Sequence, residues 1–435
     1  MINDEMKDVT LEESEVVIDE NTIEQSIIED NKNIEKSIES IEQVVIDENK
    51  INDVESEIVE SKTDLIKEDE EKTEDLFEEF SSFLKDKIDM TEDKKDLIVI
   101  PTGIDLIDAI LGGGFVVGAL NIIVGQPGSG KSMLAMQTYA QGQKLCKGGM
   151  IGGYLDSEEA TTKQRLSNLG VRYPKITPYA GITVEKVFKF FEGLCLFKDK
   201  KKSVDIPSII VWDSIANTLS EKETETNDPN TVIGYKARLL SILIPKYVAK
   251  AAKYNICLLA VNQLRDVLAM GPYAAPNPLK FMSNSKSMPG GNILKYNAFQ
   301  LVEMKVKSPI APGATNDSNK YGFEGMIAKI KCVKNKLFSP NVEIEIVGSF
   351  TTGFSNFWTN YNFLKETKRL STGAWNYLIS LPDKKFRIKD APKLYKEDKE
   401  FHDTFDTEAK NAIQIEIIDK YNPVIEEDDV EENAI

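Results

Sequence analysis

Between Gly125 and Ser132 the chain reads Gly-Gln-Pro-Gly-Ser-Gly-Lys-Ser, the spacing G-x4-G-K-[ST] of a phosphate-binding loop. An apolar run, Leu120–Val124, leads into it, and a helical stretch beginning at Met133 leaves it. Within Gly125, Gln126, Pro127, Gly128, Ser129 and Gly130 the glycines let backbone N–H groups turn inward around a phosphate at a helix N-terminus, where unpaired amides and the helix dipole favour an anion. Lys131 would reach the β- and γ-phosphates, and Ser132 would ligate Mg2+. The chemistry implied is binding of a nucleoside triphosphate with Mg2+, followed by hydrolysis.

Hydrolysis needs an acid near the metal and a base near the attacking water. The run Ser208–Trp212 ends in Asp213, at the carboxyl edge of a parallel strand, where ligands collect in open α/β sheets. Asp213 would hold Mg2+ through water. The strand at Gly153–Leu155 ends in Asp156-Ser157-Glu158-Glu159, and Glu158 is the candidate to orient and deprotonate water. On spacing alone, Glu158 and Glu159 equally suit the first turn of a solvated helix. After Ile256–Val261 comes Asn262-Gln263-Leu264-Arg265, then a long stretch with Tyr273, Lys280, Phe281 and Lys286 that closes at Gly290-Gly291-Asn292. Its lysines and aromatics suit a segment that follows a nucleic-acid backbone and touches bases. A surface insertion is the plainer alternative.

The elements that must position these residues follow from hydrophobic patterning. Leu120–Val124, Met150–Leu155, Ser208–Trp212, Ile256–Val261 and Phe299–Val306 read as buried strands, the first four each followed by a loop or helix. That alternation is the signature of a mostly parallel α/β sheet. The expected fold is a P-loop ATPase core over 98–345, a small C-terminal α/β domain over 346–423, and an acidic tail over 424–435. An amphipathic N-terminal helix with a face of Leu76, Phe77, Phe80, Phe83 and Leu84 is assigned to 75–97, for packing against a second surface. Residues 1–74 form a low-complexity acidic arm in which Val-Val-Ile-Asp-Glu-Asn occurs at Val16–Asn21 and again at Val44–Asn49. It reads as a solvated, disordered segment or a short coiled coil.

The net charge of −18 over 435 residues argues at first against a nucleic-acid partner. Its distribution reverses the inference. Residues 1–74 carry 26 acids against 7 bases, and Glu426–Glu432 adds six acids with no base, leaving the middle of the chain at +7. The four cysteines (Cys146, Cys195, Cys257, Cys332) form no C-x-x-C pair and His402 is the one histidine, so a Cys/His metal site is not expected. No run of about 18 apolar residues appears, nor a secretory signal pattern, and the cytoplasm is the expected location.

Taken in order, Tyr154-Leu155-Asp156-Ser157-Glu158, Asn262-Gln263-Leu264-Arg265, Pro289-Gly290-Gly291-Asn292, Val333-Lys334-Asn335-Lys336 and Gly373-Ala374-Trp375 resemble the motifs of RecA-family recombinases across about residues 98–380. The acidic tail makes the chain similar to phage recombinases of the UvsX type. The resemblance implies that Glu158 is the catalytic glutamate and Gln263 a sensor of the γ-phosphate. It implies that Lys334 and Lys336 reach a neighbouring subunit's ATP. It also implies two DNA-binding loops, Ser220 to Ile233 with Gly234 behind it, and Leu264 to Met288 with Arg265, Tyr273, Lys280, Phe281 and Lys286. Gly290, Gly291 and Asn292 close the second.

Where bacterial RecA stacks a tyrosine on adenine, this chain has Arg165, which can stack by a cation–π contact. The implied activity is ATP-dependent, Mg2+-dependent homologous pairing and strand exchange between single-stranded DNA and a homologous duplex, in a helical filament, with single-strand-binding or mediator proteins as further partners. A hexameric helicase, a KaiC/RadA-like ATPase or a non-catalytic recombination mediator are the alternatives that the phosphate loop alone allows. Acidic arms beside a basic body would act as DNA mimics or screens, lowering non-specific duplex binding, or as docking sites for basic partners. Deleting residues 1–74 or 426–435 is therefore expected to strengthen duplex binding at low salt; unchanged affinity across a salt titration would sink the idea.

Overall fold

A strand buried on both faces reads as an unbroken apolar run, and five such runs here demand helices on either side. The computed structural model describes residues 97–146, 150–159, 161–172, 177–179, 181–226, 232, 234–266, 286–311 and 321–423. The acidic arm, the amphipathic stretch at Leu76–Leu84 and the acidic tail lie outside the described residues.

In chain order, β1 (Val99–Ile100), α1 (Asp105–Leu111) and β2 (Phe115–Val116) precede β3 (Leu120–Gly125) and α2 (Lys131–Leu145). There follow β4 (Ile151–Asp156), α3 (Lys163–Asn168), β5 (Thr177–Tyr179), α4 (Val184–Lys201) and β6 (Ser208–Asp213). Next are α5 (Glu221–Glu225), α6 (Tyr235–Lys253), β7 (Ile256–Gln263), β8 (Arg265–Asp266), β9 (Lys286–Ser287) and α7 (Asn292–Asn297). The remainder comprises β10 (Ala298–Ile310), β11 (Gly325–Lys334), β12 (Glu343–Ser349), β13 (Gly353–Phe354), α8 (Asn356–Glu366), β14 (Leu370–Ser371), β15 (Asn376–Leu378), β16 (Leu381–Phe386), α9 (Ala391–Glu397) and α10 (Lys399–Ile413).

Among the described residues, nine strands form one sheet in the order β13-β12-β11-β10-β3-β7-β6-β4-β5. From β10 through β5 every neighbouring pair is parallel, whereas β11, β12 and β13 extend the sheet antiparallel. The mostly parallel α/β core expected from the sequence is therefore present, with an antiparallel wing beyond β10. Alternate residues of each strand face opposite layers. Ile123, Ile209, Val211, Leu259 and Val302 pack with Met133, Leu134, Met136 and Tyr139 of α2. Ile122, Ile210, Trp212, Leu258 and Leu301 pack with Phe188 and Phe191 of α4 and Leu240 and Ile244 of α6. Each such side chain contributes about 1.5–3 kcal/mol when fully buried.

Two boundaries differ from the sequence reading. The helix after the phosphate loop begins at Lys131, not at Met133, because Gly130 in the left-handed conformation (φ 90°) caps it directly. Residue 345, where the pattern turns polar, falls inside β12, which pairs with β11 over seven residues from Gly325↔Ser349 to Lys331↔Glu343. Beyond β13, a third apolar cluster of Trp358, Tyr361, Leu378, Phe386, Phe401 and Phe405 packs α8 and α10 with the three-stranded sheet β14-β15-β16. On that sheet's side, Arg387 stacks over the exposed Trp375 ring at 5.4 Å.

The wing tolerates no bulk at its inner seam. A Cβ on Gly325 would stand 1.9 Å from the backbone oxygen of Gly348, on the paired strand. Gly325→Ala should therefore lower stability by about 1–3 kcal/mol, read as a lower denaturation midpoint in urea; a wild-type midpoint would show that β12 can slide away at no cost.

Candidate active site

The phosphate loop occupies the turn between β3 and α2. Gly128 and Gly130 both have positive φ (73° and 90°), and a Cβ on Gly130 would press to 2.7 Å of the Phe354 ring and 3.0 Å of the Met326 methyl. Two hydrogen bonds fix what lies beneath: Gln137 of α2 donates to the Phe354 carbonyl at 2.9 Å and accepts from the Phe354 amide at 2.8 Å. The Gly125 carbonyl accepts from the Leu264 amide at 3.1 Å, joining the loop to the end of β7. Lys131 is buried, and its Nζ donates to the Gln126 carbonyl at 2.8 Å. Burial pushes its pKa down, while the negative charges of Asp213 and Glu158 pull it back up. The ammonium is thereby held at the loop for an incoming anion.

Strand register brings the remaining groups alongside. Gly125 pairs with Gln263, Asp213 with Val261, and Asp156 with Asp213, so the carboxyl ends of β3, β7, β6 and β4 finish nearly level. Asp213 is almost fully buried. Its Oδ2 accepts from the Tyr154 hydroxyl at 2.6 Å, and Ser132 also hydrogen-bonds to it. Burial raises its carboxyl pKa, an effect that those two donors oppose. Ser132 and Asp213 are thus a hydroxyl and a carboxylate in contact beside Lys131, a hard-oxygen donor pair suited to Mg2+.

Glu158 is presented by its neighbour rather than by a helix. The Asp156 carboxylate accepts from the amides of Glu158 at 2.9 Å, Glu159 at 3.1 Å and Thr161 at 2.9 Å, folding the chain back on itself. α3 begins only at Lys163. This excludes the solvated-helix alternative for Glu158 and Glu159. The Glu158 carboxylate accepts from Gln263 Nε2 at 3.5 Å and from the Asn217 amide. Arg165, in the first turn of α3, lines a cleft of about 220 Å3 with Gly128, Gly130, Lys131, Ser132, Met326 and Phe350, and so stands beside the loop.

Other residues singled out from the sequence are placed elsewhere. Lys334 pairs with Leu301, whose other partner is Ile122, three residues before Gly125. This lies roughly 10 Å toward the opposite edge of the sheet. Lys334 donates to the Lys295 and Tyr296 carbonyls at 2.8 and 2.9 Å, and Lys336 is exposed with its ammonium 5.5 Å from the Phe299 ring centre. Neither lysine joins its own chain's phosphate loop. At the long segment after β7, Arg265 pairs with Ser287 and Asp266 with Lys286, so its root is a two-stranded ribbon. Asn262 donates to the Pro289 carbonyl at 2.8 Å, closing that root. Gly290 and Gly291 have positive φ, and Asn292 opens α7. Gly234 caps α6 at φ 70°. Ile233, Tyr273, Lys280 and Phe281 lie outside the described residues, as does the side chain of Lys286. Sequence reasoning gave no role to Asn217, nor to Tyr154 beyond its place in a motif. A polar residue in the turn after a strand that ends in Asp was the available signal for Asn217.

No helix among the described residues is long and apolar enough to cross a membrane. The family model of the RecA N-terminal domain matches residues 79–355, ending one residue past β13. The chain is 28% identical to Protein RecA of Mycoplasma mobile over 306 residues, covering 69% of this chain and 84% of that protein. It is 31% identical to Protein RecA of Thermus aquaticus over 262 residues, covering 60% and 69% respectively. With Protein RecA 2 of Myxococcus xanthus it shares 30% over 262 residues, covering 60% and 66%. These relatives are bacterial and do not bear on the narrower phage likeness.

Removing the donor to a buried carboxylate leaves it short of a partner. Tyr154→Phe should cost about 1–3 kcal/mol of folding stability, measured by urea denaturation; a wild-type midpoint would mean that another group or water satisfies Asp213.

Proposed function

The chain belongs to the RecA family, and from that premise we propose that it is an ATP-dependent recombinase: it polymerises on single-stranded DNA and exchanges that strand into a homologous duplex. ATP sits on Gly125–Ser132 with Lys131 at its β- and γ-phosphates. Ser132, and Asp213 through water, would hold Mg2+, which would supply charge neutralisation on the phosphates. Glu158 orients and deprotonates the attacking water, and Gln263, touching Glu158 from the end of β7, couples the γ-phosphate to the DNA-contacting segment behind it. Arg165 stacks beside the base in the adjoining cleft. The site of action is the cytoplasm, in a phage-infected host if the chain is phage-encoded.

The observation that carries this reading is the opposition of two edges. Lys131, Asp213, Glu158 and Gln263 converge at the carboxyl edge of the parallel strands, while Lys334 and Lys336 stand toward the other edge. Stacking one subunit on the next brings the second edge to the first, so each ATP is completed by its neighbour and each turnover loosens a contact between subunits. DNA is gripped by the segments rooted at Ser220–Gly234 and Leu264–Met288, closed by Gly290, Gly291 and Asn292. These positions also make a simple hydrolase a poorer description than a filament whose assembly depends on nucleotide.

Two outcomes test it. Glu158→Gln should reduce single-strand-stimulated ATP turnover by about a hundredfold or more and abolish repeated strand exchange; turnover equal to wild type would leave a nucleotide-binding mediator as the better description. Lys336→Ala should prevent ATP-dependent filaments in electron micrographs while nucleotide uptake by single subunits persists. Wild-type filament lengths would remove the cross-subunit role.

A further inference from the structure

Glu158 is gripped from two directions by the same kind of group. The Gln263 amide donates to Oε1 at 3.5 Å, and the Asn217 amide donates to that same oxygen. Gln263 is the last residue of β7 and leads into the second DNA segment. Asn217 ends the turn after β6 and leads into the first. Two donors on one carboxylate oxygen fix its rotamer and leave the other oxygen to be aimed at water.

The turn carrying Asn217 is itself fixed. Trp212 Nε1 donates to Thr218 Oγ1 at 2.8 Å, and that hydroxyl donates to the Ser214 carbonyl at 2.8 Å. The Ser157 hydroxyl accepts from the Ser214 amide at 2.9 Å, tying the turn to the strand end beside Glu158. From the far side Lys236, in the first turn of α6, donates to the Ile215 carbonyl at 2.5 Å and the Ala216 carbonyl at 3.2 Å. These are the two residues immediately before Asn217. Burial pushes the Lys236 ammonium down to about 8, against the pull of Glu223, which belongs to α5 at the start of the first DNA segment. Lys236 therefore joins the far end of that segment to the turn at its near end.

We propose that Asn217 is a positioning residue for Glu158, and that Lys236 transmits the state of the first DNA segment to it through the Ile215 and Ala216 carbonyls. The inference rests on the reading of Ser220–Gly234 as a DNA-contacting segment. DNA held there shifts the start of α6, the carbonyls follow the ammonium, and the Asn217 amide turns with them. Hydrogen-bond strength falls steeply with angle, so a displacement of a fraction of an ångström re-aims the carboxylate. Gln263 delivers the signal of the second segment to the same oxygen. Asn217 is exposed, so replacing it leaves the buried core untouched.

The test uses the full chain with ATP, Mg2+ and single-stranded DNA. Asn217→Asp keeps the shape but sets a carboxylate against a carboxylate. It should lower kcat for DNA-stimulated ATP turnover about tenfold or more, with KM for ATP and DNA affinity within about twofold of wild type. Asn217→Ala should lose less, and Asn217→Gln, which keeps the donor, should recover part of the rate. Lys236→Met, of similar length but unable to donate, should reduce the ratio of turnover with DNA to turnover without it about fivefold. Wild-type kcat in Asn217→Asp, a change confined to KM, or an intact ratio in Lys236→Met each overturns the proposal. If wild type shows no stimulation by single-stranded DNA and Glu158→Gln matches it, the recombinase reading itself has failed. Stimulated wild type with equally stimulated variants removes only the relay.

Discussion

Everything at the site depends on strand register. A slip of one residue between β3 and β7, or between β6 and β4, would turn Gln263 or Asp156 to the opposite face, because the side-chain period in a strand is two. The pairings Gly125↔Gln263, Asp213↔Val261 and Asp156↔Asp213 are held by apolar residues on both faces, and one helix layer cannot move without the other. Two acids, a lysine and an amide converge without any being adjacent in sequence. What looks like a local motif is the product of a sheet whose two packed faces leave its register no freedom.

That convergence was partly legible in the residues themselves. The phosphate loop, Asp213 and Glu158 each follow an apolar run, and a run followed by a chemically active residue is what the carboxyl edge of a parallel sheet looks like in one dimension. The antiparallel wing was harder to read. β11 alternates buried and half-buried residues with lysines interleaved (Lys329, Lys331), and such alternation does not declare which sheet it joins. Residue 345 looked like a boundary because Glu343 and Glu345 lie on the solvent face of β12, paired with Lys329 and Lys307, while Ile344 and Ile346 lie in the core. The helix start at Lys131 was misjudged because Lys131 and Ser132 look like loop residues, although their backbone is already helical.

Contacts between side chains distant in sequence were the least accessible. The position of Asn217 in the turn after β6 does not single out Glu158, 59 positions earlier, as its partner. Nor does Gln137 announce that it will hold Phe354, 217 positions later. Polar residues of this kind have several satisfactory environments, and only the folded chain selects one. The lysines at Lys334 and Lys336 are the complementary case: their motif was recognisable, and only the folded chain shows that they lie away from their own phosphate loop.

The strand order also dictates when the phosphate loop can mature during synthesis. β3 is flanked by β7 and β10, whose pairing residues begin at Leu258 and Ala298, and the floor beneath Gly130 is Phe354. A ribosome that has just released Gly125–Ser132 has made none of these. The loop stays unpaired on both sides until Gln263 of β7 has emerged, keeps one edge open until Met304 of β10 has followed, and lacks its floor until Phe354, and such closure of distant segments is slow. The nascent chain consequently passes through a long interval in which it carries the most recognisable nucleotide motif in the sequence without the strands that flank it. The edges of β3 are open only until Met304 has emerged, which makes the span between Ser132 and Met304 the period in which a chaperone has most to protect.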